Sequence, residues 1–291
     1  MTRQPALARR AESLLDTAVV ATAPVAGGDV ATATKLRLSN GTTAVMKTLT
    51  GAPDDFFPTE ADGLRWLGEV PDGVRVPEVL AVDHDCLILA WVETGRGGPD
   101  DAADLGRRLA ATHRAGAASY GGGPRPDSAD GYIARLPLPR TAAPTWAEFY
   151  ATRRLLPYAR LALDRGALTT EESATIDALV GRLAGLLPEE PPARLHGDLW
   201  NGNVLWGQEG RVTLIDPAAY GGHREVDLAM LALFGLPHLQ RVMEAYEEVH
   251  PLADGWEDRV GLHQLFPLLV HACLFGGGYG ARAAATAARF T

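Results

Sequence analysis

The chain has 291 residues, of which 46% are hydrophobic and 22% charged, and a formal net charge of −9. This is enough apolar content for a packed core in one large or two smaller domains, and it excludes a disordered chain. The acidic balance argues against non-specific nucleic-acid binding or attachment to anionic lipid, both of which need clustered cationic charge, but leaves room for a local cationic site.

The opening MTRQPALARRAESLL carries charges but no apolar signal core or cleavage site, and a helix is expected from about Pro5 to Leu15. Residues 17–49 read as strands, with β-branched runs broken at Gly27-Gly28 and at Asn40-Gly41. Asn-Gly between extended runs predicts a hairpin with a type I′ turn. A helix is predicted over Thr59–Leu67, with Thr59 as N-cap and Asp62 as its capping-box partner. VRVPEVLAVD and CLILAWVET supply two more strands, and GRGGPDD (95–101) reads as a linker. After it the three- and four-residue apolar spacing of DLGRRLAATHRA, TWAEFYATRRLLPYARLALDRG and EESATIDALVGRLAGLL predicts helices. The exception is RLHGDLWNGNVLWGQEGRVTLIDP, two short strands around loops. Residues 262–275 form the longest apolar run, but His263, Gln264, Pro267 and His271 interrupt it and it is too short for a membrane span. A cytoplasmic protein is expected. Cys86 and Cys273 are isolated in apolar segments and read as buried free thiols. The fold class is therefore α+β: a sheet-rich part over 1–93 and a mostly helical part over 94–291, with a ligand cleft between them.

The chemistry concentrates in His196-Gly197-Asp198-Leu199-Trp200-Asn201-Gly202-Asn203 and in Leu214-Ile215-Asp216. Asp198 and Asn203 have the spacing of the protein-kinase catalytic loop, in which an Asp accepts the substrate hydroxyl proton and an Asn holds magnesium. Asp216, thirteen residues past Asn203, ends an apolar run where the kinase metal-binding Asp would sit. Phosphoryl transfer needs hard oxygen ligands on Mg²⁺ and a carboxylate beside the acceptor hydroxyl, which these residue types supply. The alternative, that Asp198 and Asn203 only satisfy turn backbone groups, fits one such pair but not three acceptors at matching separations.

The first half supplies the other parts of an ATP site. Lys47 in Ala44-Val45-Met46-Lys47 corresponds to the lysine that contacts ATP phosphates, with Glu60 as its ion-pair partner. Backbone N–H groups of Gly28, Asp29 and Val30 would cover the phosphates. Trp91, Val92 and Glu93 would present backbone groups to adenine, above an apolar floor at Leu205. The short stretch after Asp216 has no Ser or Thr before Asp227, and Pro217 stands where kinases place a switching Phe, so activation by phosphorylation is not expected. Asp227 is expected to cap a helix and brace the catalytic loop together with His196. His113, His263 and His271 are expected to be packing residues.

LHGDLWNGN, IDPAAYGGHREVDLAML and TEADGLRWL resemble the fructosamine kinases, or ketosamine 3-kinases, over about residues 27–235. HGDLxxxN is shared with aminoglycoside and choline kinases; the Trp after Asp-Leu and the GHREVDLAM block point to the narrower family. The resemblance implies a protein-kinase-like two-lobed fold, with a small antiparallel-sheet N-lobe carrying one main helix and a larger helical C-lobe. It also implies ATP- and Mg²⁺-dependent phosphorylation of a sugar hydroxyl on a ketosamine. Asp198 is then the base, Asn203 and Asp216 the metal ligands, and Lys47 with Glu60 the phosphate-positioning pair. Trp200, His223 and Glu225 become candidates for the sugar site, Trp200 being equally readable as a packed core aromatic, and His223 and Glu225 more readily as residues that pair with charged neighbours. Asn201 and Gly221 depart from the family pattern. Other readings are an aminoglycoside- or choline-type phosphotransferase and a nucleotide-binding pseudokinase.

Overall fold

In the computed structural model, which describes residues 3–26, 30–124 and 130–291, the sheet comes first. Helix α1 (Arg3–Leu15) leads into β1 (Val19–Pro24), β2 (Thr32–Leu38) and β3 (Thr43–Thr48), then α2 (Phe56–Gly68), β4 (Val79–Asp83) and β5 (Cys86–Ala90). The five strands form one antiparallel sheet in the order β1-β2-β3-β5-β4. Strand alternation sorts its faces. Leu36, Met46 and Ile88 pack with α1, whereas Leu87 and Leu89 pack with Phe57, Ala61 and Leu64 of α2. Lys47 pairs with Leu87 and so lies on the α2 face of β3.

Two local expectations are corrected. In the β2–β3 hairpin Gly41 has φ +87°, but Asn40 is not left-handed, so the turn is not type I′. The Asn40 carboxamide oxygen accepts from the Thr42 N–H (3.0 Å) and hydroxyl (2.7 Å), which holds Asn40 in an Asx turn and leaves the left-handed residue to glycine. Helix α2 begins at Phe56, not Thr59, with Asp55 at the N-cap. Burying Phe56 and Phe57 draws the helix back, and Pro58 sits in its first turn, where its missing N–H costs nothing. Asp62 lies beyond the first turn of the helix and pairs with Arg65 at 3.4 Å.

The crossing from the sheet to the helices is a fastened strap. Gly95 N–H donates to the Trp206 carbonyl (2.7 Å) and Gln208 N–H to the Glu93 carbonyl (3.2 Å). A Cβ on Gly97 would lie 2.0 Å from the Trp206 ring, so only glycine passes there. Residues 99–101, expected as linker, form the first turn of α3 (Pro99–Arg114), where Asp101 accepts the Gly98 N–H at 2.8 Å.

A hairpin without a sequence signal follows, β6 (Gly131–Ile133) and β7 (Leu136–Leu138), turning at Ala134 with φ +52°. It reaches back to the sheet half: Tyr132 donates to Asp55 (2.6 Å) and Arg135 to the Val30 carbonyl (3.0 Å). Next come α4 (Trp146–Phe149), a π-helical turn over Tyr150–Leu155, α5 (Leu156–Asp164), α6 (Thr170–Val180) and α7 (Leu183–Leu186). Four short strands then carry the loops of the site: β8 (Ala193–Leu195), β9 (Val204–Trp206), β10 (Val212–Leu214) and β11 (Tyr220–Gly222). The chain closes with α8 (Glu225–Phe234), α9 (Leu239–Val249), α10 (Trp256–His263), α11 (Leu265–Phe275) and α12 (Tyr279–Ala287). Cys86 and Cys273 are buried and unpaired. No helix among the described residues is long and apolar enough to cross a membrane.

Candidate active site

Two antiparallel ladders, β8 with β11 and β9 with β10, hold the motif loops together. Asn203 immediately precedes β9 and Ile215-Asp216 immediately follow β10, and Val204 pairs with Leu214. The Ile215 N–H donates to the Asn203 carbonyl at 3.0 Å. A hairpin thus closes the sequence gap between the two candidate metal ligands. Gly197, with φ +83°, has the Ala218 carbonyl 2.2 Å from where a Cβ would stand, so the two loops touch backbone to backbone.

Asp227 braces this arrangement from α8. It is fully buried, and its carboxylate accepts from the backbone N–H groups of His196 (2.8 Å) and Gly197 (2.9 Å). It does not cap the helix, whose N-cap is Arg224. His113 joins the brace, reaching Asp227 at 3.2 Å and the Tyr246 hydroxyl at 2.9 Å. Sequence reasoning took His113 for a packing residue because its partners lie on distant helices. His196 donates from Nε2 to the Ile215 carbonyl (2.9 Å) and accepts the Asp198 N–H at Nδ1 (3.3 Å), which ties both motif loops to one ring. Burial lowers its pKa and keeps the ring neutral.

The side chains meet across the two halves of the molecule. Lys47 on β3 donates to Glu60 on α2 (2.5 Å) and to Asp216 (2.9 Å). Burial acts against its charge, but the two carboxylates more than offset this and raise the pKa, so the ammonium persists. Asn203 Nδ2 donates to the Asp198 carbonyl (2.8 Å) and carboxylate (3.2 Å). With the amide nitrogen committed, Oδ1 is the atom left for a cation. Burial and the neighbouring Asp216 carboxylate push Asp198 up to about 7, against the lowering bond from Asn203.

The other expected residues are placed unevenly. Gly28 and Asp29 lie outside the described residues; the Val30 carbonyl is taken by Arg135. Trp91 N–H bonds the Thr43 carbonyl (3.1 Å) and the Glu93 carbonyl accepts from Gln208 (3.2 Å), so the groups of that segment left for adenine are the Trp91 carbonyl, both backbone groups of Val92 and the Glu93 N–H. The Trp91 ring instead stacks under Lys35 at 3.9 Å. Leu205 is half-buried on β9. Trp200 is also half-buried, its indole lying over Gly202 and 6.1 Å from Phe234.

His223 and Glu225, expected as sugar-site candidates, are corrected: they are 0% and 3% exposed and face the interior. Arg259 grips Glu225 with two bonds (3.0 and 2.6 Å), and His263 approaches it at 3.2 Å. His223 stacks on His263 with centroids 5.0 Å apart. Their polar atoms serve an internal ion-pair network, which the sequence could not separate from a site by residue type. Beside Asp198 there is instead a small recess lined by Ile133, Val226, Met230, Phe266, Val270 and His271. A larger concavity of about 460 Å³ near Trp146 and Glu190 contains none of the motif residues.

A buried lysine–glutamate pair under a sheet, facing an Asp-Asn-Asp set on the helical half, is the site of a protein-kinase-like phosphotransferase. Known proteins agree. A profile described as fructosamine kinase matches residues 4–290. A probable ketoamine kinase of Thermus thermophilus is 38% identical over 257 residues, 88% of each chain. The chloroplastic protein-ribulosamine 3-kinase of Arabidopsis thaliana is 33% identical over 231 residues, 77% of this chain and 68% of that one. A solved Thermobifida fusca protein assigned as a fructosamine-3-kinase superposes with TM-score 0.89 at 48% identity, covering 97% of this chain and 96% of that one. An aminoglycoside phosphotransferase bound to ADP and hygromycin B shares the fold, with TM-score 0.63 at 16% identity over 97% and 98% of the chains. The chain belongs to the fructosamine kinase family, and it is a kinase.

Proposed function

We propose that the protein transfers the γ-phosphoryl group of ATP to a sugar hydroxyl of a ketosamine, at O3, in a cleft between a lobe spanning 1–93 and a lobe spanning 94–291. The ketoamine and ribulosamine kinase relatives support the acceptor class, and the second of these supports the position. The observation that carries the reading is the contact between Lys47 of the sheet and Asp216 of the helical half, 2.9 Å long, beside Asp198. Lys47, held by Glu60, positions the phosphates. The backbone of Trp91, Val92 and Glu93 receives the adenine and that of Gly28, Asp29 and Val30 the phosphates, with Leu205 beneath the base. Trp200 offers a flat face to the sugar ring.

Asp198 takes the hydroxyl proton. A carboxylate pushed up to about 7 is matched to that task at neutral pH. The donor set fits Mg²⁺: Asn203 Oδ1 and the Asp216 carboxylate, whose side chain is 39% exposed, are hard oxygens next to a cationic lysine. Asn203 and Asp216 would hold a magnesium ion there, and its charge would offset that of the phosphates.

Incubation with Mg-ATP and a panel of fructosyl and ribulosyl amines, aminoglycosides and choline, read by ³¹P NMR, tests the reading. A ketosamine 3-phosphate is expected. Phosphate only on another acceptor would overturn the substrate class, and no ATP turnover with any acceptor would make the protein a pseudokinase.

A further inference from the structure

The recess beside Asp198 does not end at its apolar floor. His271 of α11, which lines it, lies 4.8 Å from Phe234 at the end of α8, 5.5 Å from Phe275 and 5.1 Å from Tyr279. Phe234 in turn lies 6.1 Å from Trp200 of the catalytic loop. A chain of ring contacts therefore runs from His271, which lines the same recess as Asp198, outward to solvent. Its outer end is Phe275, 56% exposed, where the buried α11 ends. Residues 276–278 turn the chain so that Tyr279, the first residue of α12, returns to the band.

An exposed ring is ordinary when scattered. Four rings in tilted contact around His271 and leading out of a reaction site are not scattered, and they offer an apolar ligand group a place to pack. We infer that Phe234, His271, Phe275 and Tyr279 form the subsite for the substituent on the amine of the acceptor, and that they select ketosamines of aromatic or bulky apolar amines. This rests on the ketosamine reading of the same site. The chemistry of the acceptor fits the placement. With the sugar hydroxyl at Asp198, the amine and its substituent project away from the phosphates, and the ring band is the surface that continues from the recess. Phe234, His271 and Tyr279 are half-buried and fixed by their mutual contacts, so little ordering opposes binding.

The test compares kcat/KM for the fructosyl adducts of benzylamine and of glycinamide, in the wild type and in Phe275→Ser. Phe275 is mostly in solvent, so its replacement leaves the core intact. The wild type is expected to prefer the benzylamine adduct on the order of tenfold, the difference lying in KM, and Phe275→Ser to bring the ratio toward one. A His271→Asn variant should narrow the ratio as well. Equal kcat/KM for the two adducts in the wild type, or a ratio unmoved by both variants, would overturn the inference and leave the ketosamine reading standing. Phosphorylation of neither adduct would overturn the ketosamine reading itself.

Discussion

Single residues at this site are set against their ordinary chemistry, and that makes them testable. As the proposed base, Asp198 must be ionised to accept a proton, and its carboxyl is pushed up to about 7 by burial and by Asp216. The kcat/KM profile should therefore fall as pH drops through about 7 or somewhat below, since a cation beside Asp216 relieves the repulsion; a flat profile from pH 5 to 8 would contradict this. Lys47→Met removes the group that spans the two halves, and kcat/KM should fall by roughly 10²–10³-fold, as for other lost electrostatic donors. Normal ATP kinetics in that variant would show that Lys47 does not meet the phosphates. Burial, and the neighbouring His263, push the His223 imidazole down from its ordinary 6.5 to about 3. The unfolded chain takes up a proton below pH 6.5 that the folded protein refuses until about pH 3. Stability is therefore present above pH 6.5 and lost as pH falls toward 3. The Tm of His223→Gln should depend less on pH between 6.5 and 4.5 than that of the wild type; equal slopes would contradict the assignment. The gathering of Asp198, Asn203 and Asp216 was legible in the sequence because their spacing follows the chain. His113 and the interior placement of Glu225 were not, because each depends on partners more than thirty residues away.

At the scale of elements, the site depends on how the strap and the β6–β7 hairpin hold the sheet to the helices. Gly97→Ala places a methyl group against the Trp206 ring, which should cost about 1–3 kcal/mol by overpacking, read from urea unfolding, and should raise KM for ATP. Unchanged stability would mean that the strap yields freely. Tyr132→Phe removes the bond to Asp55 and should cost about 1 kcal/mol. The five strands were legible from β-branched runs and turn residues, and α3, α5 and α6 from apolar spacing, whereas α9 to α12 were not assigned one by one. The start of α2 was misread because Thr59 looks like a cap, while the burial of two phenylalanines decides where the helix begins. The β6–β7 hairpin escaped notice because its strands are three residues long and its turn uses Ala134, a residue with no turn preference.

For the whole molecule, the order of elements along the chain already separates a sheet half from a helical half, and motifs on each half complete one site only when the two meet. That meeting depends on contacts such as Lys47 with Asp216 and Arg135 with Val30, 169 and 105 residues apart in sequence, so no local pattern announces it. The measurement that tests the account most directly is single-turnover transfer from Mg-ATP to a fructosyl amine in Asp198→Ala, with nucleotide affinity determined in parallel. Transfer should slow by roughly 10²–10⁴-fold while ATP binds about as tightly as to the wild type. A transfer rate close to that of the wild type would contradict the account.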